Sequence, residues 1–205
     1  MAKKVPVIED HSTEDKIKNA ARKVFTQKGF AAARTRDIAE EAGINLALLN
    51  YYFRSKEKLF DIVMKETMQQ FVVAMKDVFN NENTSLIEKV EAMVENYIAL
   101  FKAQPNIPLF VLSEMRTRPD KFASTIGIKE VLLTSHFFRQ IVQVTKGRIN
   151  PLHFVINLIG LTVFPFIASP LLKNIGDMDS VQFDALMQER KKLIPEWIQA
   201  IIKTM

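Results

Sequence analysis

Residues 35–52 read TRDIAEEAGINLALLNYY, and the reading of the whole chain turns on this stretch. Two short helices meeting at about 90–120° need a small residue where they touch and a glycine in the turn between them. Ala39 supplies the first and Gly43 the second, while Ile38, Ala42, Ile44 and Leu49 are the apolar positions that face each other. The spacing predicts short helices over residues 35–42 and 45–53, with Thr35 and Asn45 as their amino-terminal caps. The pattern Ala-x3-Gly-x5-Leu also fits an ordinary helical hairpin. What surrounds it favours a helix-turn-helix: an amphipathic helix precedes it, and its second helix runs into Tyr51, Tyr52, Phe53 and Arg54.

Working outward, helix punctuation recurs and strand alternation is nearly absent. Ser12 with Asp15 reads as a cap for a helix carrying Ile17, Ala20, Ala21, Val24 and Phe25 on one face, stopped at Gly29. Ser55 caps a long helix through Leu59, Ile62, Val63, Phe71, Met75 and Phe79, ended by the Asn-rich patch at 80–83. Ser85 and Glu88 form a capping box that opens a helix through Val90, Val94, Ile98 and Phe101. Further segments are expected near 109–116, 129–146, 151–172 and from Ser180 onward, the last broken in two at Pro195. The fold class is all-α.

Composition narrows the function. The 205 residues include no cysteine, which excludes disulfide frameworks, thiolate metal sites and thiol nucleophiles. Three scattered histidines leave little for a zinc site, and no metal or cofactor is expected. No P-loop, G-x-S-x-G or H-E-x-x-H is present, so an enzyme is not expected. The net charge of +5 is uneven: residues 1–60 hold twelve Lys and Arg against eight Asp and Glu, while the rest is almost balanced. A basic amino-terminal quarter on a near-neutral body points to a polyanion-facing module, or else to a solvated charged surface. Residues 152–172 lack any Asp, Glu, Lys or Arg and approach the length of a membrane span, but His153, Asn157, Pro165 and Pro170 favour burial in a core or an interface. No secretory signal is recognised, and a cytoplasmic protein without membrane contact is expected.

The second short helix carries the most chemistry. Leu49 and Phe53 lie one turn apart and should face the core, leaving Leu46, Ala47, Leu48, Asn50 and Tyr51 on or near the outer face. Asn pairs bidentately with adenine, and Leu or Ala meets a thymine methyl. A helix amino terminus favours a phosphate, and Thr35, Tyr51, Tyr52 and Lys56 are within reach of one. Tyr52 reads equally as a core aromatic with its hydroxyl at the surface, and Lys56 also as a solvated lysine.

With these residues in place, KIKNAARKVFTQKGFAAARTRDIAEEAGINLALLNYYFRSKEKLF, residues 16–60, resembles the amino-terminal domain of the tetracycline-repressor (TetR) family of transcriptional regulators. The likeness rests on Ala20-Ala21, Phe25, Gly29-Phe30, Thr35-x-Asp37-Ile38-Ala39, Ala42-Gly43-Ile44 and Leu49-x2-Tyr52-Phe53-x-Ser55-Lys56-Glu57-x-Leu59. It implies an all-helical homodimer that binds a double-stranded, pseudo-palindromic operator and is released by a small molecule. The family's DNA contacts carry over to Thr35, Arg36, Asn45, Leu46, Ala47, Asn50, Tyr51 and Tyr52, and its phosphate-binding lysine to Lys56. Asn50 stands where the family often has Tyr, and Leu46 and Leu48 where it is often polar, so base readout leans here on apolar contact and one amide.

Three divisions follow: residues 1–11 as a flexible arm, 12–56 as the DNA-binding domain, and 57–205 as the effector-binding and dimerisation domain. Phe71, Met75, Tyr97, Phe101, Met115, Phe137 and Asn157 are candidates to line an effector pocket, though aromatic and Met residues at helical spacing also describe plain core. The scarcity of ionisable groups in these helices favours a hydrophobic or weakly polar effector. His153, Asn157, Leu161, Phe164, Leu186 and Trp197 are candidates for the dimer interface, formed by the apolar segment and the last helix. The rival reading is a helical protein-interaction module with no specific operator.

Overall fold

A computed structural model describes residues 11–127 and 132–204, without the side chains at 11, 12, 70–74, 125 and 126. Among the described residues, regular structure is entirely helical: α1 His11–Ala32, α2 Thr35–Glu41, α3 Leu46–Tyr52, α4 Lys56–Asn80, α5 Leu86–Ala103, α6 Ile107–Thr117, α7 Pro119–Ile126, α8 His136–Thr145, α9 Leu152–Ile167, α10 Ser169–Ile175 and α11 Ser180–Thr204. Of the expected amino-terminal arm only His11 is described, and it begins α1; the start of the segment expected at 129–146 also lies outside the described residues.

The chain divides into two compact units, the first ending at Thr67 and the second starting at Met68. The division falls inside α4, so the first unit includes roughly the first three turns of that helix rather than ending near residue 56. Its core is the apolar stripe of α1 (Ile17, Ala20, Ala21, Val24 and Phe25) with Ile38, Ala39, Leu49, Phe53, Leu59, Phe60 and Val63. Phe60 meets Phe25 and Phe30 edge-on at ring-centroid distances of 4.9 and 4.8 Å.

The break expected at Gly29 is present: at φ 71° and ψ 167° the backbone leaves the helix there, and a short helical piece follows to Ala32. Two local expectations are corrected in this unit. Ser12 lies inside α1, which already includes His11. Thr35 is the first helical residue of α2 and not its cap. That position is Arg34, in an extended conformation, whose backbone N–H donates to Asp37 Oδ2 at 3.1 Å. The carboxylate three residues on thereby satisfies the backbone donor of the capping residue.

In the second unit α5 is the central helix, packing against α8, α9 and most extensively α11. The capping box at its start is present: Ser85 N–H donates to Glu88 Oε2 at 2.7 Å, and Glu88 N–H to Ser85 Oγ at 3.2 Å. Leu86, Val90, Met93, Val94, Ile98 and Phe101 face inward at helical spacing. The expected segment 151–172 is two helices, α9 and α10, bent by 71°. Among the described residues no single helix is long and apolar enough to cross a membrane; this bent pair passes only on combined length and composition. Pro195 does not break the last helix, because Ile194 and Ile198 on either side of it are buried and hold α11 continuous.

Lys89 is buried, and its ammonium donates to Asn81 O at 2.6 Å, Thr84 O at 2.7 Å and Thr84 Oγ1 at 2.9 Å. All three N–H groups are thereby matched, and the connection between α4 and α5 is tied to α5. Burial draws the pKa of this lysine below its ordinary value. Lys89→Met should lower unfolding stability by about 1–3 kcal/mol, because the loop oxygens lose a charged donor in a buried place. Urea unfolding followed by circular dichroism measures it, and unchanged stability would show that water replaces the ammonium.

Candidate nucleic-acid interface

The turn between α2 and α3 closes through the backbone. Ala42 N–H donates to Ile38 O at 2.9 Å, Gly43 N–H to Glu40 O at 3.0 Å and Ile44 N–H to Ala39 O at 3.0 Å. Gly43 sits at φ +64°, in left-handed space that costs a side-chain-bearing residue roughly 1–2 kcal/mol, although a Cβ there would meet nothing within 4 Å. Asn45 caps α3 as expected, its Oδ1 accepting from Leu48 N–H at 2.8 Å. Leu49 and the capping Phe53 are buried and set the rotation of the helix. Ala47, Asn50 and Tyr51 consequently face outward, followed by Arg54, with Leu46 and Leu48 half-buried at the sides.

Salt bridges hold the neighbouring helices around this element. Lys23 pairs with Glu41 at 2.6 Å and Lys28 with Asp37 at 3.0 Å, joining α1 to α2. Glu66 of α4 receives Lys18 at 3.3 Å and Arg22 at 3.2 Å, and Arg22 Nε also donates to Thr67 Oγ1 at 3.2 Å. Lys56, half-buried, donates to Phe30 O and Ala33 O, both at 3.0 Å, with its ammonium 4.3 Å from the centroid of the Phe30 ring. It closes the end of α1, a role that neither the phosphate nor the solvated reading supplied; one N–H remains for another partner.

Of the remaining candidate contacts, Thr35 is half-buried and Arg36 exposed on the first turn of α2. Tyr51 is 69% exposed, with the half-buried Tyr52 edge-on at 5.4 Å. Arg36 and Arg54 make no hydrogen bond or ion pair among the described residues, and with Arg34 they place three exposed arginines at the start of α2 and just past α3. Motif spacing does not single out Arg34 or Arg54. Their exposure beside α2 and α3 shows only in the structure, where Lys18, Arg22, Lys23, Lys28 and Lys56 are seen to be engaged.

The candidates in the second unit separate into interior and surface. Met75, Phe101 and Phe137 are buried, Phe137 stacking on Phe79 at 5.0 Å; Tyr97 is half-buried, 5.5 Å from Phe101, and desolvation pushes its hydroxyl pKa strongly upward. The side chain of Phe71 lies outside the described residues. Met115, at 50% exposure, and Asn157 are on the surface, because α6 and α9 turn other faces inward; neither lines the interior. His153, Asn157 and Phe164 share the exposed face of α9 with Leu152, Ile156 and Ile159. Leu161 and Leu186 are half-buried, and Trp197 is 38% exposed beneath Arg190, whose Nη2 donates to Leu161 O at 2.6 Å.

The tight turn at Gly43 between α2 and the outward-facing α3, packed on α1, is the helix-turn-helix arrangement of DNA-binding proteins. Residues 17–63 match the model of the bacterial regulatory proteins of the tetR family. Among curated proteins the chain is 25% identical over 200 residues, 94% of its length and 95% of the relative's, to "Probable HTH-type transcriptional regulator YttP" of Bacillus subtilis. It is also 26% identical to the "Fatty acid metabolism regulator protein" of the same species, over 49% of this chain and 51% of that one. Among solved structures, FadR from Bacillus subtilis in complex with stearoyl-CoA aligns with a TM-score of 0.62 and 19% identity, covering 88% of this chain and 97% of that one, a likeness of fold. Residues 17–63 are thus a helix-turn-helix domain of the tetR type, and the relatives that the chain matches beyond it are named as transcriptional regulators.

Three outcomes are expected from this geometry. The Lys28 ammonium first, and then the Arg34 N–H, hold the Asp37 carboxyl below the ordinary carboxylate range. Stability from this group is therefore fully present above that range and is lost as pH falls through the depressed pKa. Asp37→Asn should flatten the acid limb of a stability-versus-pH curve; an unaltered limb would place the acid sensitivity elsewhere. Lys56→Met should destabilise the protein by about 1–3 kcal/mol through the two lost charged hydrogen bonds. Arg36→Ala should leave the unfolding midpoint within about 0.5 kcal/mol of the parent while weakening DNA binding. Chemical denaturation alongside a DNA titration tells the two apart.

Proposed function

We propose that this regulator is a cytoplasmic repressor that binds a pseudo-palindromic operator as a homodimer and leaves it when a small, largely apolar effector binds the second unit. The observation that carries the reading is the α3 face. Ala47, Asn50 and Tyr51 are exposed, with Arg36 and Arg54 unengaged around them, while Lys18, Arg22, Lys23, Lys28 and Lys56 are held within the domain. In this reading Thr35, Tyr51, Tyr52 and the remaining N–H of Lys56 meet phosphates, and Arg36, Asn45, Leu46, Ala47 and Asn50 meet or flank base edges.

A second copy of the chain is supported by the uncovered apolar face of α9, where Ile156 is 63% and Phe164 60% exposed, with Trp197 of α11 as a further candidate. A two-fold dimer presents two recognition helices about one DNA turn apart, as a palindromic site requires. For the effector, the Phe- and Met-rich interior around α5, α8, α9 and α11 suits a hydrocarbon chain. Two similar proteins, one a fatty acid metabolism regulator and one solved in complex with stearoyl-CoA, favour an acyl compound. α4 runs through both units and is the path by which effector binding would reach the DNA-binding unit.

Selection of genomic fragments by the purified full chain, at moderate and high salt, tests the proposal. The expected result is a two-fold symmetric site, released by stearoyl-CoA or stearate. Phe164→Asp should yield a monomer by sedimentation with much weaker binding to that site. Fragments without a shared motif, bound only at low salt, would overturn the operator reading in favour of the interaction module.

A further inference from the structure

We infer that the outward face of α3 selects A·T steps at the centre of each half-site, and that Asn50 sets this choice; the inference rests on the operator-binding reading above. From Leu46 to Tyr52 the helix has no charged side chain. In the major groove, guanine presents two acceptors that are met best by paired donors of Arg or Lys, and the amino group of cytosine is met by Asp or Glu. Adenine presents an acceptor beside a donor, the complement of a side-chain amide, and thymine presents a methyl group to apolar side chains. Of these partners α3 offers one amide, Asn50, and the apolar groups of Ala47, Leu46 and Leu48. It has no Arg or Lys to pair bidentately with guanine and no carboxylate to accept from cytosine.

The structure adds two facts to this inventory. Burial of Leu49 and Phe53 permits a single rotation of α3, so Ala47 and Asn50 are the side chains of the helix middle that reach outward. The Asn50 amide makes no hydrogen bond among the described residues, leaving both its donor and its acceptor for a base. Asn45 differs, since its oxygen is taken by Leu48 N–H as the helix cap. The exposed cations around α3, Arg36 on α2 and Arg54 beyond Phe53, belong to its surroundings and not to its middle. A guanine can be read at the margins of the half-site by Arg36, whereas the steps facing Ala47 and Asn50 are A·T. Leu46 and Leu48, half-buried in the free protein, complete their burial against thymine methyls.

The experiment is selection from a pool of random double-stranded DNA by the full-length protein at physiological salt, run in parallel with Asn50→Ala, Asn50→Arg and Arg36→Ala. The parent should recover half-sites with an adenine-containing A·T core. Asn50→Ala should lose the preference at one position and bind the parental site roughly 5- to 150-fold more weakly. Asn50→Arg should move the selected base at that position to guanine, a change that altered folding cannot mimic. Arg36→Ala should alter only the margins. A shared symmetric motif with a G·C core, indifferent to Asn50→Ala, would overturn this inference and leave the regulator reading intact. Recovery of no motif by the parent would overturn both.

Discussion

A helix of seven residues does not hold itself together in water, because nucleation costs more than so few hydrogen bonds return. α3 persists because Leu49 and Phe53 are buried against the rest of the first unit and because Asn45 satisfies one of its amino-terminal N–H groups. The functional surface of the unit depends on that anchorage. The rotation that buries Leu49 is the one that exposes Ala47, Asn50 and Tyr51, and the left-handed turn at Gly43 sets the direction in which the helix leaves α2. A substitution that loosened Leu49 would move every base-facing side chain together.

The charge offered to a polyanion is smaller and more localised than a count along the chain suggests. Five of the basic side chains in the first unit are engaged within it: Lys18 and Arg22 with Glu66, Lys23 with Glu41, Lys28 with Asp37, and Lys56 with two carbonyls at the end of α1. Most of these pairs are partly exposed and contribute only about 0–1 kcal/mol each. Their effect is on geometry: they join α1 to α2 and α4, and the Glu66 pairs lie just before the point where the first unit ends, at Thr67. Beside α2 and α3, the exposed Arg34, Arg36 and Arg54 are left to act outward.

The second unit resolves the double meaning of residues 152–172. An uncharged apolar stretch of that length fits a bilayer or a core, and hydropathy does not distinguish them. Here α9 buries Phe154, Leu158, Thr162 and Phe166 and leaves Ile156, Ile159 and Phe164 uncovered, and the chain turns by 71° into α10. The segment is neither a continuous straight span nor a fully buried helix. Apolar residues occur all round it because both faces carry them, and one face lacks a cover within the chain.

The all-α class, the turn at Gly43, the caps at Asn45 and Ser85, and the inward set of α1, α3 and α5 were legible in the residues alone. Caps, turns and stripes are interactions over three to eight positions, which local spacing encodes. What depended on partners distant in sequence was not legible. Arg34 rather than Thr35 caps α2, its backbone N–H held by Asp37, an exception only three residues long. Pro195 stayed inside a helix because its neighbours are buried by other helices. Met115 and Asn157 went to the surface, and Lys56 to the carbonyls of α1, for the same reason. Burial and charge pairing are set by which faces meet across the fold, and only the tertiary structure decides that.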